Sequence, residues 1–316
     1  MKLGISLSGG GVRALVFHLG VLKRLAESKH WDSIEHLSTV SGGSLCVAMI
    51  FAKNGGKWPN AEEYLNTVLP AAKEQLTKHS LMWASIRAGF LRPDLLLGGR
   101  AHLVARDLTK KWCLNISLQD LPERPRWTIN CTTYETGKNW RFSHKRMGDY
   151  LTGYVFNPDF PVADAAAASA GFPGGIGPRK IKTNDYEWAN YKKGSRTETE
   201  PCEPLHKCYH LWDGGVYENL GSEALIKPDN GFREGLDFYI ASDAGRPLGL
   251  GTSRFSWKPP FYLPPGRLLD CAMDQVRAIR ARTINRIVSP TGLKRCGIYV
   301  RKRSTQPHYP ARWEFA

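Results

Sequence analysis

Three short glycine-containing segments carry the residues whose types and spacing could perform acyl transfer. In chain order they are Gly9-Gly10-Gly11, Ser41-Gly42-Gly43 and Asp213-Gly214-Gly215. A serine hydroxyl attacks an acyl carbonyl when a base takes its proton, and backbone N–H groups can stabilise the charge that develops on the carbonyl oxygen. Together the three segments offer a nucleophile, a base and an oxyanion site.

Ser41 lies in a segment typical of a nucleophile turn. An apolar stretch with strand composition precedes it, and an apolar helical stretch follows. On such a sharp turn the serine hydroxyl is exposed above the helix N-terminus. Gly42 and Gly43 let neighbouring backbone approach, whereas Thr39 occupies the first glycine position of the usual G-x-S-x-G pattern. The alternative is that Ser41 only caps the helix, but Ser44 could cap it instead.

The first glycine segment predicts an anion site. Consecutive glycines between a strand and a helix allow backbone N–H groups to converge at the helix N-terminus. Gly9, Gly11 and Ala14 also fit the loose dinucleotide pattern G-x-G-x-x-A, but a Rossmann fold would place an acidic residue where residues 39–41 lie. No G-K-[ST] follows, which excludes a Walker loop. A tight structural turn is the remaining alternative.

Asp213 is the predicted base. Two glycines follow it at the end of an expected strand, so we expect a tight turn that is exposed at the cleft. The only histidine after it, His308, lies between prolines and is poorly placed to complete a serine–acid–histidine triad. A Ser–Asp dyad, in which the carboxylate takes the serine proton, fits better. Asp243 also ends an expected strand and is the alternative acid, but it lacks the double glycine.

The elements that must position these residues are those of an α/β domain. Strands are predicted for residues 2–7, 34–40, 127–134 and 236–242, and helices for residues 12–28, 44–53, 61–91 and 102–113. The β-α-β-α start favours a mainly parallel sheet covered by helices. We expect residues 182–208 to form a polar surface excursion and residues 247–266, rich in glycine and proline, to be irregular. Pro307 and Pro310 argue against a terminal helix.

The composition predicts one globular domain over residues 1–316, with residues 246–316 as a basic C-terminal extension packed on or flanking it. A net charge of +15 predicts attraction to an anionic partner. Seven cysteines, an odd number without a C-x-x-C pair, favour a reducing compartment. With no apolar run long enough for a signal peptide or a membrane span, we expect a cytoplasmic protein whose membrane contact is peripheral.

The motifs, taken in order, resemble those of the patatin-like phospholipase family. They are Gly9–Arg13, Thr39–Gly43 and Asp213–Gly215, and Ala165–Pro173 resembles the small-residue helix and F-P turn that these proteins carry before the aspartate loop. The resemblance spans about residues 3–245.

This resemblance implies a three-layer α/β/α sandwich with a mainly parallel central sheet and a Ser–Asp dyad. Ser41 would attack the acyl carbonyl, and Asp213 would act as base and then as acid. The oxyanion hole would comprise Gly9, Gly10 and Gly11, with Arg13 supporting the loop. The implied substrate is an acyl ester of a glycerophospholipid or lysophospholipid at an anionic membrane surface, cleaved without a metal or cofactor.

A zinc site is an alternative interpretation of one segment. Cys202, His206, Cys208 and His210 supply four potential ligands within nine residues. Their spacing matches no familiar structural zinc site, so a surface loop is the preferred interpretation.

Two basic regions leave further alternatives open. Residues 73–92 could form a membrane-contacting amphipathic helix or an ordinary helix with one buried face. The tail between Arg277 and Arg303 could bind lipid headgroups or nucleic acid, or form a solvated face. The resemblance to the patatin-like family also allows a phospholipase of bacterial immunity that is activated by a nucleotide second messenger held on the basic surface. A hypothesis of another class is a non-catalytic nucleic-acid-binding protein. No zinc finger, RRM core or glycine-aromatic motif supports nucleic-acid binding.

Overall fold

The computed structural model describes residues 1–78, 101–173, 176–195, 197–227, 231–233, 235–245, 248, 265–288 and 296–301. The strands of the main sheet are β1 Leu3–Leu7, β2 Ile34–Val40, β3 Arg126–Thr133, β4 Asn139–Phe142, β5 Arg146–Asp149, β6 Gly153–Phe156, β7 Arg179–Lys182, β8 Ala189–Tyr191, β9 Thr199–Pro201, β10 Cys208–Asp213, β13 Phe238–Asp243 and β14 Cys296–Arg301. A separate small hairpin pairs β11 Ile226–Lys227 with β12 Gly231–Phe232.

The helices in the described ranges are α1 Gly11–Glu27, α2 Gly42–Lys53, α3 Ala61–Glu63, α4 Leu69–Lys78, α5 Ala101–Lys111, α6 Val162–Ser169, α7 Gly215–Glu218 and α8 Pro265–Val288. A π-helical turn, Tyr64–Val68, joins α3 to α4, and single 3₁₀ turns lie at Trp31–Ser33, Leu118–Asp120, Thr183–Asp185 and Ser222–Ala224. None of these helices combines the length and apolar character needed to cross a bilayer.

The main sheet has a parallel core that continues into antiparallel strands. Its first five strands, in the order β14-β13-β1-β2-β3, are parallel. The strands β4, β5, β6, β8 and β9 follow with antiparallel pairing. Every residue of β1 is buried, as expected for a strand covered on both faces. The predicted α/β fold with a parallel central sheet is therefore confirmed, and the antiparallel extension adds to it.

Helices cover both faces of the sheet. One apolar cluster joins the sheet to α1, α2, α5 and α6. A second lies on the opposite face, where Tyr239 and Ala241 of β13 pack with Ile284 and Ile287 of α8. Successive strand side chains point to opposite faces, so β13 contributes to both clusters through alternate residues. This arrangement confirms the layered architecture.

Most predicted elements of the parallel core are present with boundaries shifted by one or two residues. The antiparallel strands β4 to β6 and helix α8 were not predicted. The polar stretch 182–208, expected to be an excursion, contains the short paired strands β8 and β9. Residues 79–91 of the predicted helix, and nearly all of 247–266, lie outside the described residues.

Candidate active site

Ser41 and Asp213 meet because two strands share one edge of β3. Strand β2 pairs with this edge as far as Val40, opposite Asn130, and Ser41 follows at once. Strand β10 pairs with β3 one residue further on, which places Asp213 opposite Cys131. Strand β4 occupies the other edge at the same level, so β10 must continue along the edge that β2 leaves. The nucleophile and the acid are thereby placed end to end.

The Ser41 hydroxyl donates a hydrogen bond to the Asp213 carboxylate. Ser41 is 7% exposed and Asp213 3%. Burial raises the pKa of Asp213 from 3.8 to about 6, although hydrogen bonds from the Gly215 amide and from Ser41 act in the opposite direction. The Gly215 N–H lies 2.7 Å from Asp213 Oδ1. This carboxylate is therefore mostly ionised at neutral pH, but it is a stronger base than an ordinary aspartate, which suits a general base.

The expectation that the D-G-G loop is exposed is wrong. Asp213, Gly214 and Gly215 are all buried. A Cβ at Gly214 would lie 2.4 Å from the Asn130 carbonyl oxygen of β3, and one at Gly215 would lie 3.2 Å from Met273 Cε of α8. The loop is covered from two sides, so only residues without a side chain fit there.

The backbone at Ser41 has the strained geometry of a nucleophile turn. Its φ is 52° and its ψ is −114°, values that cost a non-glycine residue on the order of 1–3 kcal/mol. The Ser41 N–H donates to Ser169 Oγ at 3.0 Å, which helps to hold this conformation. Glycine is required next to it, because a Cβ at Gly42 would lie 2.2 Å from the Gly11 carbonyl oxygen and one at Gly43 would lie 2.3 Å from that of Leu7.

Thr39 takes the place of the usual glycine because its hydroxyl belongs to a buried relay. Trp127 Nε1 donates to Thr39 Oγ1 at 2.9 Å, and the Thr39 and Ser44 hydroxyls lie 2.8 Å apart. Ser44 Oγ lies 2.9 Å from Ser169 Oγ, which donates to the Asn130 carbonyl at 2.7 Å. Since each hydroxyl has one proton, the relay runs in one direction from the indole to the carbonyl.

The capping alternative is not supported. Ser41 stands at the N-cap position of α2, but its side chain makes no capping hydrogen bond. Ser44 does not cap the helix either, because its hydroxyl bonds to Thr39 and Ser169. The Ser41 hydroxyl is therefore directed to Asp213 rather than to the helix.

The glycine loop lies against the nucleophile. A Cβ at Gly9 would be 3.1 Å from Ser41 Cβ. The Gly9 N–H already donates to the Asn219 carbonyl at 3.0 Å. The amides of Gly10 and Gly11, at the start of α1, have no hydrogen-bond partner within the described part of the chain. Gly10 and Gly11 have positive φ values of 142° and 66°, a backbone conformation that favours glycine over other residues.

Arg13 shows no polar interaction with this loop in the described part of the chain. Its side chain is exposed, and among the described residues it has neither a hydrogen bond nor an ion pair. His18 fills the space beneath the loop instead, with Nε2 2.9 Å from the Ser8 carbonyl oxygen and Nδ1 2.9 Å from Ser242 Oγ. Burial lowers the pKa of His18 to about 4, so it is neutral at pH 7.

The small-residue helix α6 holds the acid loop in place. The carbonyl of Gly171, just after α6, accepts a hydrogen bond from the Asp213 N–H at 3.1 Å, and that of Ser169 accepts one from Gly214 at 3.3 Å. All four alanines at residues 165–168 are 0% exposed. Small side chains therefore let the end of α6 approach both the nucleophile turn and the acid loop.

Asn219 is a site residue that the sequence analysis missed. A Cβ at Gly9 would lie 2.3 Å from its Oδ1, and one at Gly215 would lie 2.8 Å from the same atom. Its side-chain amide thus lies between the glycine loop and the acid loop. Within the described residues this amide has no hydrogen-bond partner. In the sequence, the closeness of Asn219 to Asp213 along the chain is the signal that could have indicated this position.

The alternative acid, Asp243, has a different partner. Its side chain is 0% exposed, and Oδ2 lies 3.3 Å from Arg277 of α8. Oδ1 accepts a hydrogen bond from the Gly245 N–H at 2.8 Å. Arg280, one turn further along α8, pairs with Glu223 at 3.1 Å. Two arginines of the basic tail therefore pair with acids of the domain instead of forming a solvated face.

The four zinc-ligand candidates do not form a metal-binding group in the described part of the chain. His210 Nδ1 lies 2.6 Å from Glu135 Oε1. Cys202 lies against β6, since a Cβ at Gly153 would be 2.8 Å from its sulfur.

Comparison with known protein families identifies residues 5–226 as a match to the model of the patatin-like phospholipases. The chain belongs to the patatin-like phospholipase family. The matched range includes the glycine loop, Ser41 and Asp213, and it ends before β13 and α8. Met273 of α8, which covers the acid loop, therefore lies outside the matched range of this patatin-like chain.

Two solved structures illustrate what the patatin-like chain is similar to. Human GIVD cytosolic phospholipase A2 is 16% identical over 77% of this chain and 42% of that chain, with a TM-score of 0.48. VipD from Legionella pneumophila is 14% identical over 97% of this chain and 63% of that chain, with a TM-score of 0.39. The patatin-like chain thus spans less than half of the length of the human structure. A search of curated proteins found no match.

The close packing beneath the nucleophile turn predicts a cost for Gly43→Ala. The added methyl would meet a backbone carbonyl that cannot move freely, so we expect the free energy of unfolding to fall by about 1–3 kcal/mol. Gly20→Ala is the matched control, because Gly20 lies within α1 with no atom within 4 Å of the added methyl. It should stabilise the helix by roughly 0.5–1 kcal/mol. Urea denaturation of both variants measures the difference, and equal stability would contradict the packing described.

The raised pKa predicts that Asp213→Asn stabilises the protein at alkaline but not at acidic pH. The folded state keeps this proton up to about pH 6, whereas the unfolded chain loses it near 3.8, so the stability from protonation is lost as the pH rises through 6. A neutral asparagine should therefore raise the free energy of unfolding by about 1–3 kcal/mol at pH 8 and by little near pH 4. Denaturation at both pH values tests this, with exposed Asp32→Asn as control. Destabilisation at pH 8 would show that ionised Asp213 is favoured in the fold.

Proposed function

We propose that this chain is a serine acyl hydrolase that cleaves acyl esters of glycerophospholipids or lysophospholipids through an acyl-enzyme. Lipid acyl hydrolysis is the activity at the level of its family. The observation that carries the proposal for this chain is the hydrogen bond from Ser41 to the buried Asp213, whose pKa is raised to about 6. A nucleophile and a base tuned towards neutral pH are the two groups that the reaction needs.

In the first half of the proposed reaction, Ser41 Oγ attacks the acyl carbonyl while Asp213 takes the hydroxyl proton. The carbonyl oxygen becomes an oxyanion, which the amides of Gly10 and Gly11, without hydrogen-bond partners among the described residues, can stabilise. Collapse of the tetrahedral intermediate breaks the ester bond, and Asp213 returns its proton to the departing alcohol oxygen. The acyl group remains on Ser41.

In the second half, water replaces the departed alcohol. Asp213 takes a proton from the water, whose oxygen attacks the acyl-enzyme carbonyl. The new tetrahedral intermediate collapses, Asp213 returns the proton to Ser41 Oγ, and a fatty acid leaves. The amide of Gly9 is already bonded to Asn219, so the loop supplies its charge stabilisation through Gly10 and Gly11 while Gly9 allows the close approach to Ser41. Arg13 is exposed near the loop but has no assigned step.

The two alternative hypotheses from the sequence, nucleotide activation and nucleic-acid binding, depend on the basic surface, of which the tail is the densest part. Arg277 and Arg280, which belong to that tail, are ion-paired with Asp243 and Glu223. The part of the tail beyond residue 301 lies outside the described residues. Both hypotheses stay predictions.

Ser41→Ala should abolish hydrolysis of a soluble ester and labelling by a fluorophosphonate, because both need the serine oxygen. Asp213→Asn should lower turnover by roughly 10³–10⁴-fold, the scale for losing a member of a catalytic unit. Asp243→Asn is the matched control, since it neutralises another buried aspartate at a strand end, and turnover per folded molecule should change far less. Fluorophosphonate labelling that persists in Ser41→Ala, or a larger loss in Asp243→Asn, would contradict the assigned dyad.

The pKa of Asp213 also predicts the pH dependence of catalysis. The carboxylate acts as a base only when ionised, so kcat/KM, which reports the pKa of the free enzyme, should rise about tenfold per pH unit below pH 6 and level off above it. Steady-state kinetics with a soluble ester, measured between about pH 4.5 and about pH 8.5 in steps of about half a pH unit, locate the inflection. A profile that is flat through pH 6, with an inflection only near pH 8, would assign the base to another group.

A further inference from the structure

Exposed apolar side chains gather at the edge of the sheet where Ser41 lies. Nine large hydrophobic side chains among the described residues are exposed, and five of them lie on turns at this edge: Tyr134, Tyr150, Leu151, Phe172 and Leu205. Tyr134 is 72% exposed and Tyr150 62%, and it is their grouping at one edge, more than the exposure of either alone, that indicates an interaction site.

Strand directions show that two of these turns project from the same edge. Strand β3 is parallel to β2 and therefore ends at the edge where Ser41 follows β2. Strand β4 is antiparallel to both β3 and β5, so β5 runs in the same direction as β3. The turn after β3 carries Tyr134, and the turn after β5 carries Tyr150 and Leu151. We call these three side chains the tip residues.

A buried carboxylate joins the two turns into one rigid unit. Asp149 Oδ2 accepts hydrogen bonds from the hydroxyls of Thr133 at 2.7 Å and Thr136 at 2.9 Å, both next to the first turn. Its Oδ1 accepts from the backbone N–H groups of Leu151 at 2.8 Å and Thr152 at 2.9 Å in the second turn. The tip residues are therefore held out into solvent by a fixed scaffold.

Lysines accompany the tip residues. Lys138 Nζ lies 5.7 Å from the centre of the Tyr150 ring. The hairpin of β7 and β10 extends past the end of β3 and carries Lys180 and Lys182, with Lys207 just before β10. All three hairpin lysines are exposed, and no carboxylate in the described part of the chain pairs with them. Glu135, the acid nearest Tyr134 in sequence, is bonded to His210.

We infer that the tip residues and these four lysines form the surface that binds a phospholipid bilayer with anionic headgroups. Aromatic rings with a polar end suit the boundary between headgroups and acyl chains, and lysines attract anionic lipid while their stems cover apolar surface. The choice of a lipid partner rests on the proposed function, because Ser41 and Asp213 lie at this same edge of the sheet.

The arrangement favours a bilayer over a protein partner. The tip residues stand on two different turns, after β3 and after β5, an arrangement that suits a broad lipid surface better than a single partner helix or strand. The net charge of +15 is not required for the chemistry of the dyad, and it complements an anionic membrane. Phe172, 39% exposed, follows the Gly171 carbonyl that bonds to the acid loop, so the bound lipid would lie close to the catalytic pair.

Cosedimentation with phosphatidylcholine vesicles containing phosphatidylglycerol tests this surface. Replacing Tyr134, Tyr150 and Leu151 together by serine in the full chain should weaken vesicle binding by about tenfold or more. For a matched pair, Leu151→Ser should weaken binding, whereas Val16→Ser, at a 53% exposed position on α1, should not.

Reversal of charge by Lys180→Glu and Lys182→Glu should reduce binding to the anionic vesicles and leave the weaker binding to pure phosphatidylcholine unchanged. The control for charge is Lys57→Glu, an exposed lysine beyond the C-terminal end of α2 at the opposite edge.

A soluble short-chain ester separates this inference from the proposed function. The triple serine variant should keep its turnover of that ester within about twofold while losing hydrolysis of vesicle lipid. Ser41→Ala should lose both activities and keep vesicle binding. Vesicle binding by a wild-type chain that hydrolyses nothing would refute the proposed function and leave the surface standing. Binding that is equal in the wild-type chain and the triple variant, or undetectable in both, would overturn the surface.

Discussion

The burial of one carboxylate beside one hydroxyl is the constraint on which the rest of the structure depends. Removing Asp213 from water disfavours its ionised form, and only the Gly215 amide and the Ser41 hydroxyl offset that cost. A carboxylate with more donors would be too weak a base, and one with none would stay protonated at neutral pH. The glycines around the pair follow from this constraint, because two backbone loops must approach within contact distance of the same buried group.

The strain at Ser41 is held by groups that lie outside the pair. The Trp127 indole and the hydroxyls of Thr39 and Ser44 form a hydrogen-bonded relay to the Ser169 hydroxyl. Ser169 Oγ also accepts a hydrogen bond from the Ser41 N–H. The same helix end binds the acid loop through backbone carbonyls. A single short helix of alanines therefore sets the positions of both reacting groups, and its lack of side-chain volume is what allows it to lie so close to the sheet.

Sequence reasoning predicted the parallel core and the two turns that bring Ser41 and Asp213 together, because both leave strong local signals. Continuous apolar runs next to glycine motifs indicate buried strands and sharp turns. Strand β4 has only four residues with alternate burial, too few to show a period, and was missed. The burial of Asp213 was also missed, since a D-G-G segment indicates a turn but not which strand or helix will cover it. Arg277 was counted with a basic tail because a charge pattern does not reveal a buried partner such as Asp243.

The shared edge of β3 has a consequence for how this chain can change in length. Asp213 is positioned by the register of β10 on β3, and the segment that leads to β10 does not enter that register. The connection between β8 and β9 could therefore be lengthened or shortened without moving the acid, since loop closure costs only about 0.6 kcal/mol for each doubling of length. One residue added between Cys208 and Asp213 would instead turn the carboxylate to the opposite face of the sheet. Variation in length should be concentrated before β10 and excluded from it.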